Sequence, residues 1–432
     1  MNKLYNAILL SMLSAVTPLI ASAQDDSQAE LRENPDMETP TSPAVAYSDY
    51  PSYIRLAANR VDLNGADWSG LSSLFSAAAD TLVTVVHIGD SHLQADMATA
   101  VTRDRLQQIY GDAGRGLIVP FKLAGTNEPV DYAITSPDGW VASRLLKMPW
   151  PTDMSFTGVA VQSVSPTASL TVRTGSFFDD MTVFATSPGL EINSVSDGNG
   201  DEINFDVKSD GRRTRIALSR PCTEIRMSVS RPHDVAIGGI SLSNGHNGVA
   251  YHVIGNNGAT YSTYNLIGSV GRDLSELSPQ LIIVSLGTNE AFGKMTDAAF
   301  RLNINDLVGE LRRNNPDACL LLVTPAECQR RTSRRVRRKG KRRRYRTVSS
   351  YSVNTNVKRM RDVIVAYGRD NGIPVYDWYE VAGGTGASAR WLADKTLNKD
   401  RVHLTYKGYQ LQGNLFTDAL LDAINQHSLQ IK

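Results

Sequence analysis

The stretch VTVVHIGDSHLQAD, from Val83 to Asp96, joins a run of apolar residues to a short polar turn and then to a helix-like pattern. An apolar run of this length is typical of a strand that is buried on both faces of a parallel sheet. Ser91 lies in the turn that follows. A serine in this position either caps the next helix through its side chain or presents its hydroxyl at the carboxyl edge of the sheet as a nucleophile. The stretch alone leaves both interpretations open.

Four further apolar runs repeat this pattern along the chain. We predict five buried parallel strands, at 82–88, 250–255, 281–287, 319–324 and 373–378. Helical patterns lie between or after them, at about 93–109, 262–275, 296–314, 351–370 and 405–426. This alternation predicts an α/β domain in which helices cover both faces of one sheet. Ligands of such sheets bind where the carboxyl ends of the strands open.

Residues 121–248 interrupt the alternation. Short segments with alternating apolar and polar residues, such as SLTVRTG, MTVFAT and TRIALS, are separated by turn residues. This spacing is typical of a jelly roll or β-sandwich. We therefore predict an all-β domain inserted into an α/β domain that is formed by residues 51–120 and 249–432. Trp140 and Trp150 of the insert either stack on sugar rings or, as is commoner for tryptophan in β domains, pack in the core.

The amino-terminal residues 1–23 resemble a secretory signal peptide. Lys3 precedes an apolar stretch, and Ala21-Ser22-Ala23 forms a small-residue cleavage site. The apolar stretch is shorter than the roughly 20 residues that a membrane-spanning helix needs, which favours a cleaved leader over a membrane anchor. Residues 24–50 are polar and acidic and predict a flexible tether. We expect an exported protein, periplasmic or secreted, without a membrane span.

The overall composition is that of a globular protein. The chain has 432 residues, 41% of them hydrophobic, and a net charge of +1. This hydrophobic fraction allows sizeable cores and argues against a disordered chain. The three cysteines, Cys222, Cys319 and Cys328, are too few for a disulfide framework. A bond between Cys319 and Cys328 is compatible with an oxidising compartment, but we expect Cys319 to be a buried small hydrophobic residue.

The segment from Arg330 to Arg346 is the most unusual in composition, because it contains twelve lysines or arginines. Since like charges at this density repel one another, we predict an extended basic loop at the edge of the sheet where ligands bind. It either contacts an anionic polymer, binds nucleic acid, or is simply a solvated loop. Because the protein is expected to be exported, we expect no nucleic-acid partner.

Polar residues near the carboxyl terminus supply what a serine nucleophile would need. Asp400 and His403 lie just before the last predicted helix. A histidine can accept the proton of a serine hydroxyl, and a carboxylate can orient and stabilise that histidine. Asn289 and Gly258 follow two other predicted strands. An asparagine side-chain amide and a glycine backbone amide can both donate hydrogen bonds to an oxyanion. Each of these residues is equally typical of a turn or a surface loop.

Taken together, the motifs GDSH, the turn at Gly258, GTNE and DRVH resemble blocks I, II, III and V of the SGNH or GDSL-type hydrolase superfamily, in order. The resemblance covers residues 82–120 and 250–432. It implies a three-layer α/β/α, flavodoxin-like fold with a five-stranded parallel sheet. It also implies Ser91 as nucleophile, His403 as base and Asp400 as the residue that orients the base. The implied oxyanion hole combines the Ser91 amide, the Gly258 amide and the Asn289 side chain, and no metal or cofactor is implied.

Two residues depart from the superfamily pattern, since His92 replaces the usual leucine and Glu290 the usual aspartate. With Asn257, they are our candidates for substrate contacts. The GDSH motif combined with an inserted β domain resembles the peptidoglycan O-acetylesterase branch, where the insert resembles a carbohydrate-binding module. That branch implies a serine esterase acting on an acetylated glycan, with peptidoglycan first. The alternatives are an acetylesterase for plant or host polysaccharide, a glycan O-acetyltransferase and a non-catalytic glycan-binding protein. The sequence does not indicate the oligomeric state.

Overall fold

The computed structural model describes residues 50–230, 235–337 and 345–426. The predicted signal peptide, all but the last residue of the predicted tether and residues 338–344 of the basic segment lie outside this part of the chain. No helix within the described residues has the length and apolar character needed to cross a lipid bilayer.

The strands in the described residues are, in chain order, β1 (Val61–Asp62), β2 (Leu82–Gly89), β3 (Gly116–Ile118), β4 (Tyr132–Thr135), β5 (Trp140–Arg144), β6 (Val159–Ser163), β7 (Thr167–Ala185), β8 (Glu191–Asp197), β9 (Phe205–Asp210), β10 (Arg213–Ser230), β11 (Ile237–Ser243), β12 (Gly248–Gly255), β13 (Leu281–Ser285), β14 (Cys319–Val323), β15 (Gln329–Arg337), β16 (Tyr345–Val353) and β17 (Val375–Tyr376). The α-helices are α1 (Ser69–Ser76), α2 (Ser91–Gln94), α3 (Met97–Tyr110), α4 (Tyr261–Asn265), α5 (Val270–Leu274), α6 (Asp297–Asn314), α7 (Thr355–Asp370), α8 (Trp378–Val381), α9 (Ala387–Ala393) and α10 (Tyr406–Asn425). Short 3₁₀ turns lie at Leu56–Ala58, Ser275–Leu277 and Glu290–Phe292.

The central sheet has the strand order β1-β17-β14-β13-β2-β12. Strands β12, β2, β13, β14 and β17 are parallel, whereas β1 pairs antiparallel with β17. Numbered by their position in the chain, the parallel strands follow the order 2-1-3-4-5, which is that of the flavodoxin-like fold. The predicted five-stranded parallel sheet is therefore confirmed. The sixth strand, β1, has only two residues and is too short to produce an alternation in the sequence.

Both faces of this sheet are covered, as the apolar strands predicted. On one face, Val83 and Val85 of β2 belong to the same buried cluster as Leu415 of α10. On the other face, Val86 and Ile88 belong to a second cluster that includes residues of α6 and α7. Successive side chains of a strand point to opposite faces, so one continuous apolar run supplies both clusters. The result is the three-layer α/β/α arrangement.

The helices differ from their predicted bounds where the backbone turns. The predicted helix 93–109 is two helices, α2 and α3, because Asp96 has a φ of 56° and ends the helical path. Among residues other than glycine, aspartate and asparagine adopt this left-handed conformation most readily. The predicted helix 262–275 is likewise divided into α4 and α5, and residues 351–353 belong to β16 rather than to the following helix.

The predicted inserted β domain is present. Its nine strands, β3 to β11, pair with one another in antiparallel ladders. The two longest strands, β7 and β10, pair with each other along most of their lengths, with register shifts between Ala217 and Glu224. The part of β10 that precedes the shifts also pairs with β9, and the part that follows them also pairs with β8. The assembly begins at β3, which pairs with β11, and so it starts before the predicted boundary at residue 121.

The basic segment 330–346 was predicted as a loop, and the described part of it is instead a β-hairpin formed by β15 and β16. The prediction gave too much weight to repulsion between the charges. On an exposed hairpin both faces are in contact with water, which screens the arginines. The β-branched and aromatic residues between them, such as Thr332, Val336 and Tyr345, favour extended backbone.

The structure shows the bonding state of the three cysteines and the packing of the two tryptophans of the inserted domain. All three cysteines are free, so the Cys319–Cys328 bond is not formed. Cys319 is half-buried rather than fully buried. Trp140 and Trp150 both pack against the hydrophobic core, and the indole N–H of Trp150 donates a hydrogen bond to the carbonyl oxygen of Arg144 at 3.0 Å. These contacts agree with the core-packing interpretation of the tryptophans.

Candidate active site

Ser91 begins helix α2 but does not cap it. The cap is Asp90, whose carboxylate accepts a hydrogen bond from the backbone amide of His92 at 3.0 Å. Because Asp90 has this role, the hydroxyl of Ser91 is available for another partner. The helix can lie directly on the end of β12 because residue 255 is glycine, and a Cβ there would collide with the backbone of Gln94.

The partner of the Ser91 hydroxyl is His403. The Ser91 Oγ lies 2.8 Å from His403 Nε2, and His403 Nδ1 lies 2.6 Å from Asp400 Oδ2. Both oxygens of an ionised carboxylate are acceptors, so Nδ1 carries the proton and Nε2 is free to accept the serine proton. Ser91 and His403 are both buried, at 6% and 7% exposure. Residues from opposite ends of the chain thus form one continuous hydrogen-bonded series.

The loop before α10 is shaped by the same carboxylate that orients the histidine. Asp400 Oδ1 accepts hydrogen bonds from the backbone amides of Val402 and His403, at 2.9 and 3.0 Å. Its other oxygen, Oδ2, contacts the imidazole of His403. Arg401, between them, has a φ of 63°, which turns the chain sharply. One side chain therefore fixes both the loop and the orientation of the ring.

The ionisation of this pair follows from its contacts. Burial alone would raise the pKa of Asp400, but the hydrogen bond and charge of His403 and two backbone amides lower it below its ordinary value. Burial would also lower the pKa of His403, and the hydrogen bond and charge of Asp400 raise it above its ordinary value. Asp400 therefore stabilises the protonated form of the imidazole, which is the form that a general base reaches after taking a proton.

The predicted oxyanion donors lie on loops that contact the turn or the helix of Ser91. The amide of Ser91 is the first of α2 and has no acceptor within that helix. Gly258 has a φ of 81°, a conformation that glycine adopts without strain. The side-chain nitrogen of Asn289 donates to the carbonyl oxygen of Ala259 at 2.9 Å and to Asp90 Oδ2 at 3.2 Å. Asn289 is thereby held between the Gly258 turn and the Ser91 turn, with both amide hydrogens directed at protein acceptors.

Asp90 is a functional candidate that the sequence analysis missed. Its carboxylate joins the GDSH turn to Asn289, and burial raises its pKa to about 6. The signal in the sequence was its place directly before a helix, where aspartate is a preferred cap. The sequence analysis considered only Ser91 as a possible cap of this helix and did not consider Asp90.

Gln94 was also missed. Its side-chain oxygen accepts a hydrogen bond from the backbone amide of Asn257 at 2.7 Å, and its nitrogen donates to the carbonyl oxygen of Asn127 at 2.8 Å. Gln94 thus connects the nucleophile helix to the Gly258 turn and to the inserted segment. Residues three apart on a helix lie on the same face, so its spacing from Ser91 was the available clue.

Of the three predicted substrate contacts, His92 directly follows Ser91 and lies beside His403. Its ring centroid is 5.2 Å from that of His403, and its Nδ1 lies 3.1 Å from the hydroxyl of Tyr409. Burial, followed by the charge of His403, lowers the pKa of His92 to about 3, so this imidazole is neutral at ordinary pH. It is half-buried beside the site.

The other two candidates are held by the protein. The side-chain nitrogen of Asn257 donates to Asn127 Oδ1 at 2.7 Å, which ties this turn to the inserted segment. Glu290 is only 3% exposed, and its carboxylate accepts a hydrogen bond from the backbone amide of Tyr261 at 2.8 Å. Burial raises the pKa of Glu290 to about 8. Glu290 thus supports the loops from inside, and its predicted contact with substrate stays a prediction.

Within the residues that the structure describes, no group of three or more histidine, cysteine, aspartate or glutamate side chains is placed to hold a metal ion. The functional groups that the site brings together are a hydroxyl, an imidazole, carboxylates and amide donors. This set is suited to acyl transfer through a serine.

Comparison with known proteins gives one family and several structures. Residues 240–411 match the GDSL-like Lipase/Acylhydrolase family. A solved peptidoglycan O-acetylesterase superposes with a TM-score of 0.65 and 20% identity, covering 84% of this chain and 98% of that one. This match extends the likeness of fold over the inserted β domain as well as the α/β domain. No curated protein matches the chain by sequence.

Two other solved structures overlap less well. A lipase/acylhydrolase from Enterococcus faecalis is 21% identical over 40% of this chain and 76% of its own, with a TM-score of 0.29. A family two carbohydrate esterase from Cellvibrio japonicus is 10% identical over 68% of this chain and 98% of its own, also with a TM-score of 0.29. Overlap at this level carries no argument about this chain.

Proposed function

We propose that this protein removes O-acetyl groups from an extracytoplasmic glycan, with peptidoglycan as the first candidate. The premise is that the chain carries a GDSL-like lipase/acylhydrolase domain and is therefore a hydrolase of carboxylic esters. The observation that carries the proposal is the hydrogen-bonded series from Ser91 through His403 to Asp400. Such a series supplies a nucleophile, a base and an orienting carboxylate without a cofactor.

The first half of the reaction forms an acetyl-enzyme. Ser91 Oγ attacks the acetyl carbonyl carbon while its proton passes to His403 Nε2, 2.8 Å away. The resulting imidazolium is stabilised by Asp400, which remains ionised. His403 then gives this proton to the sugar oxygen as the carbon–oxygen bond to the sugar breaks. The deacetylated sugar leaves, and the acetyl group remains on Ser91.

The second half releases acetate. A water molecule loses a proton to His403 and attacks the acetyl carbon. The proton returns from His403 to Ser91 Oγ as acetate departs. In both halves the negative charge on the carbonyl oxygen would be stabilised by the amides of Ser91 and Gly258 and by the Asn289 side chain.

The substrate class has weaker support than the chemistry. A solved peptidoglycan O-acetylesterase overlaps with 84% of this chain, so its likeness of fold includes the inserted domain. At 20% identity this likeness indicates a fold and leaves the substrate a proposal. The predicted signal peptide fits a glycan outside the cytoplasm. Periplasmic or secreted location is part of the same proposal.

The test compares acetate release from O-acetylated peptidoglycan and from acetylated xylan, with wild-type protein and with Ser91→Ala. We expect faster release from peptidoglycan, and we expect Ser91→Ala to lower kcat by about 10⁶-fold, because loss of the nucleophile removes the whole series. Circular dichroism should show an unchanged fold. Ser73→Ala, an exposed serine on α1, is the matched control.

Three outcomes would contradict the proposal in different ways. Near-normal turnover by Ser91→Ala would remove Ser91 as nucleophile. Faster release from xylan would move the substrate class to plant or host polysaccharide. Acetyl transfer to a second glycan in place of acetate release would assign a transferase.

A further inference from the structure

The hairpin of β15 and β16 has a charge that nothing in the proposed chemistry uses. The sequence contains no aspartate or glutamate between Glu327 and Asp362. Arg331, Arg334 and Arg335 of the hairpin are exposed. Among the described residues, none of these three forms an ion pair with a carboxylate. The hairpin therefore presents a positive surface without internal compensation.

The pairing register divides this surface into two faces of different chemistry. Arg331 pairs with Tyr351 and Arg335 with Thr347, and Tyr345 lies on the same side. Residues directly opposite one another in a ladder share a face, and alternate residues lie on the other face. We call the face with these arginines and tyrosines the tyrosine face. The opposite face carries Arg334 and Arg346 beside valines.

The tyrosine face is joined to the loop that holds the catalytic pair. The guanidinium of Arg401 lies 4.0 Å from the ring centroid of Tyr351. Arg401 also donates to Gln329 Oε1 at 2.8 Å, and its carbonyl oxygen accepts from the Gln329 amide at 2.9 Å. Since Arg401 directly follows Asp400, the tyrosine face begins beside the Asp400–His403 loop.

The groups on this face match two features of an acidic glycan. Arginine guanidinium groups bind carboxylates through paired hydrogen bonds. The exposed ring of Tyr345 offers a flat apolar surface on which a sugar ring can pack, and the half-buried ring of Tyr351 lies against Arg401. The guanidinium of Arg335 lies 5.4 Å from the ring centroid of Tyr345, and Arg331 donates to the Ser349 hydroxyl at 3.0 Å. These contacts order the arginine side chains and leave donors free.

We propose that the tyrosine face binds a carboxylate-bearing strand of the glycan that is deacetylated at Ser91, which rests on the proposed function and specifies its substrate as an anionic glycan. From Tyr351 to Tyr345 the face extends roughly 20 Å, at about 3.3 Å per residue. Binding along this length places the strand beside the Asp400–His403 loop. The hairpin thus acts as a binding arm for substrate outside the catalytic residues.

The test measures binding to insoluble peptidoglycan by sedimentation, which does not depend on catalysis. Arg331→Gln combined with Arg335→Gln should weaken binding about fivefold at low salt, because the two exposed charge pairs together are worth about 1 kcal/mol. Arg334→Gln combined with Arg346→Gln removes the same charge from the opposite face and should leave binding within about twofold, because those charges meet no ligand carboxylate. Circular dichroism and thermal unfolding verify that both variants fold.

A matched ligand and a salt series complete the design. Peptidoglycan whose carboxylates have been converted to amides should bind wild-type protein as weakly as the tyrosine-face variant binds the untreated polymer. Raising the salt to about 1 M, where the screening length falls to about 3 Å, should remove the difference between wild type and variant.

If both double variants weaken glycan binding equally, the effect comes from total charge rather than from one face, and the inference is overturned. Unchanged glycan binding by the variant with Arg331→Gln and Arg335→Gln would overturn it as well. Loss of binding to phosphatidylglycerol vesicles with unchanged glycan binding would assign the face to membranes and overturn it as well. Acetate release is measured separately. If wild-type protein releases acetate normally and the tyrosine-face substitutions leave glycan binding unchanged, only this inference fails. If wild-type protein releases no acetate, only the proposed function is contradicted.

Discussion

The two sides of Ser91 are built differently. On the base side, His403 and Asp400 are joined by a 2.6 Å contact, and each has a hydrogen-bond partner that fits the proposed chemistry. On the oxyanion side, Asn289 donates to Ala259 and to Asp90 instead of pointing at an open site. The base side is therefore assembled before substrate arrives, whereas the oxyanion side holds its side-chain donor on protein acceptors.

This difference predicts an order of importance among the residues. The base side depends on a single carboxylate that sets the tautomer, the orientation and the pKa of the histidine. The proposed oxyanion side has three donors, and in the proposed reaction Asn289 exchanges its Asp90 contact for the substrate oxygen. Removing one donor should cost less than removing the carboxylate. Exposed charges such as those of the tyrosine face should matter least, since solvent screens them.

Asp400→Asn gives the largest effect expected within this comparison. We expect kcat to fall by about 10⁴-fold, because asparagine cannot stabilise the imidazolium and favours the wrong tautomer. The acid limb of the pH–rate profile should also move to lower pH. His403 acts as a base only when neutral, and its pKa, raised in the native protein by Asp400, falls when that charge is removed. A pH series of kcat/KM on a chromogenic acetyl ester measures both effects.

Asp394→Asn, an exposed carboxylate just upstream in the chain, is the control for this experiment. It should leave both the rate and the acid limb where they are. If Asp400→Asn lowers kcat by less than tenfold and leaves the acid limb of the pH–rate profile unmoved, the base side does not depend on this carboxylate. That result would contradict the expected difference between the two sides of Ser91.

Asn289→Ala gives the smaller effect on the oxyanion side. We expect kcat to fall by about 10²–10³-fold with little change in KM, because the amide would act on the transition state more than on bound substrate. Steady-state kinetics on the same ester separates the two parameters. Asn193→Ala, which changes an exposed asparagine on β8 of the inserted domain, is the control and should leave kcat unchanged. An effect of Asn289→Ala confined to KM would remove it from the oxyanion hole.

The parts of the fold with strong periodic patterns could be predicted from the sequence. Apolar runs such as Val83–Ile88 are typical of strands buried on both faces, and their alternation with helical patterns predicted the parallel sheet and its helical layers. The positions of Ser91 and Asn289 after such runs placed them at one edge of the sheet, whereas His403 was recognised only from its place before the last helix and from the resemblance. The motif resemblance then supplied the roles that spacing alone could not assign.

The remaining features depend on contacts that are distant in the sequence. Glu290 was predicted to contact substrate, and nothing in the sequence indicated that its carboxylate accepts a hydrogen bond from the backbone amide of Tyr261 on another loop. The break at Asp96 is stabilised by Arg103 and Arg115, which pair with its carboxylate at 2.7 and 2.6 Å. The hairpin was missed because its charges dominated the local pattern. In each case partners far along the chain or the solvent decided the structure.

The most direct test of the central claim is covalent labelling of the nucleophile. A fluorophosphonate ester reacts irreversibly with an activated serine hydroxyl, and peptide mass mapping locates the adduct. The account predicts one equivalent of adduct on Ser91, formed in parallel with the loss of acetylesterase activity and absent in Asp400→Asn over the same interval. Inactivation with the adduct on another residue, or full activity retained by protein labelled at Ser91, would contradict it.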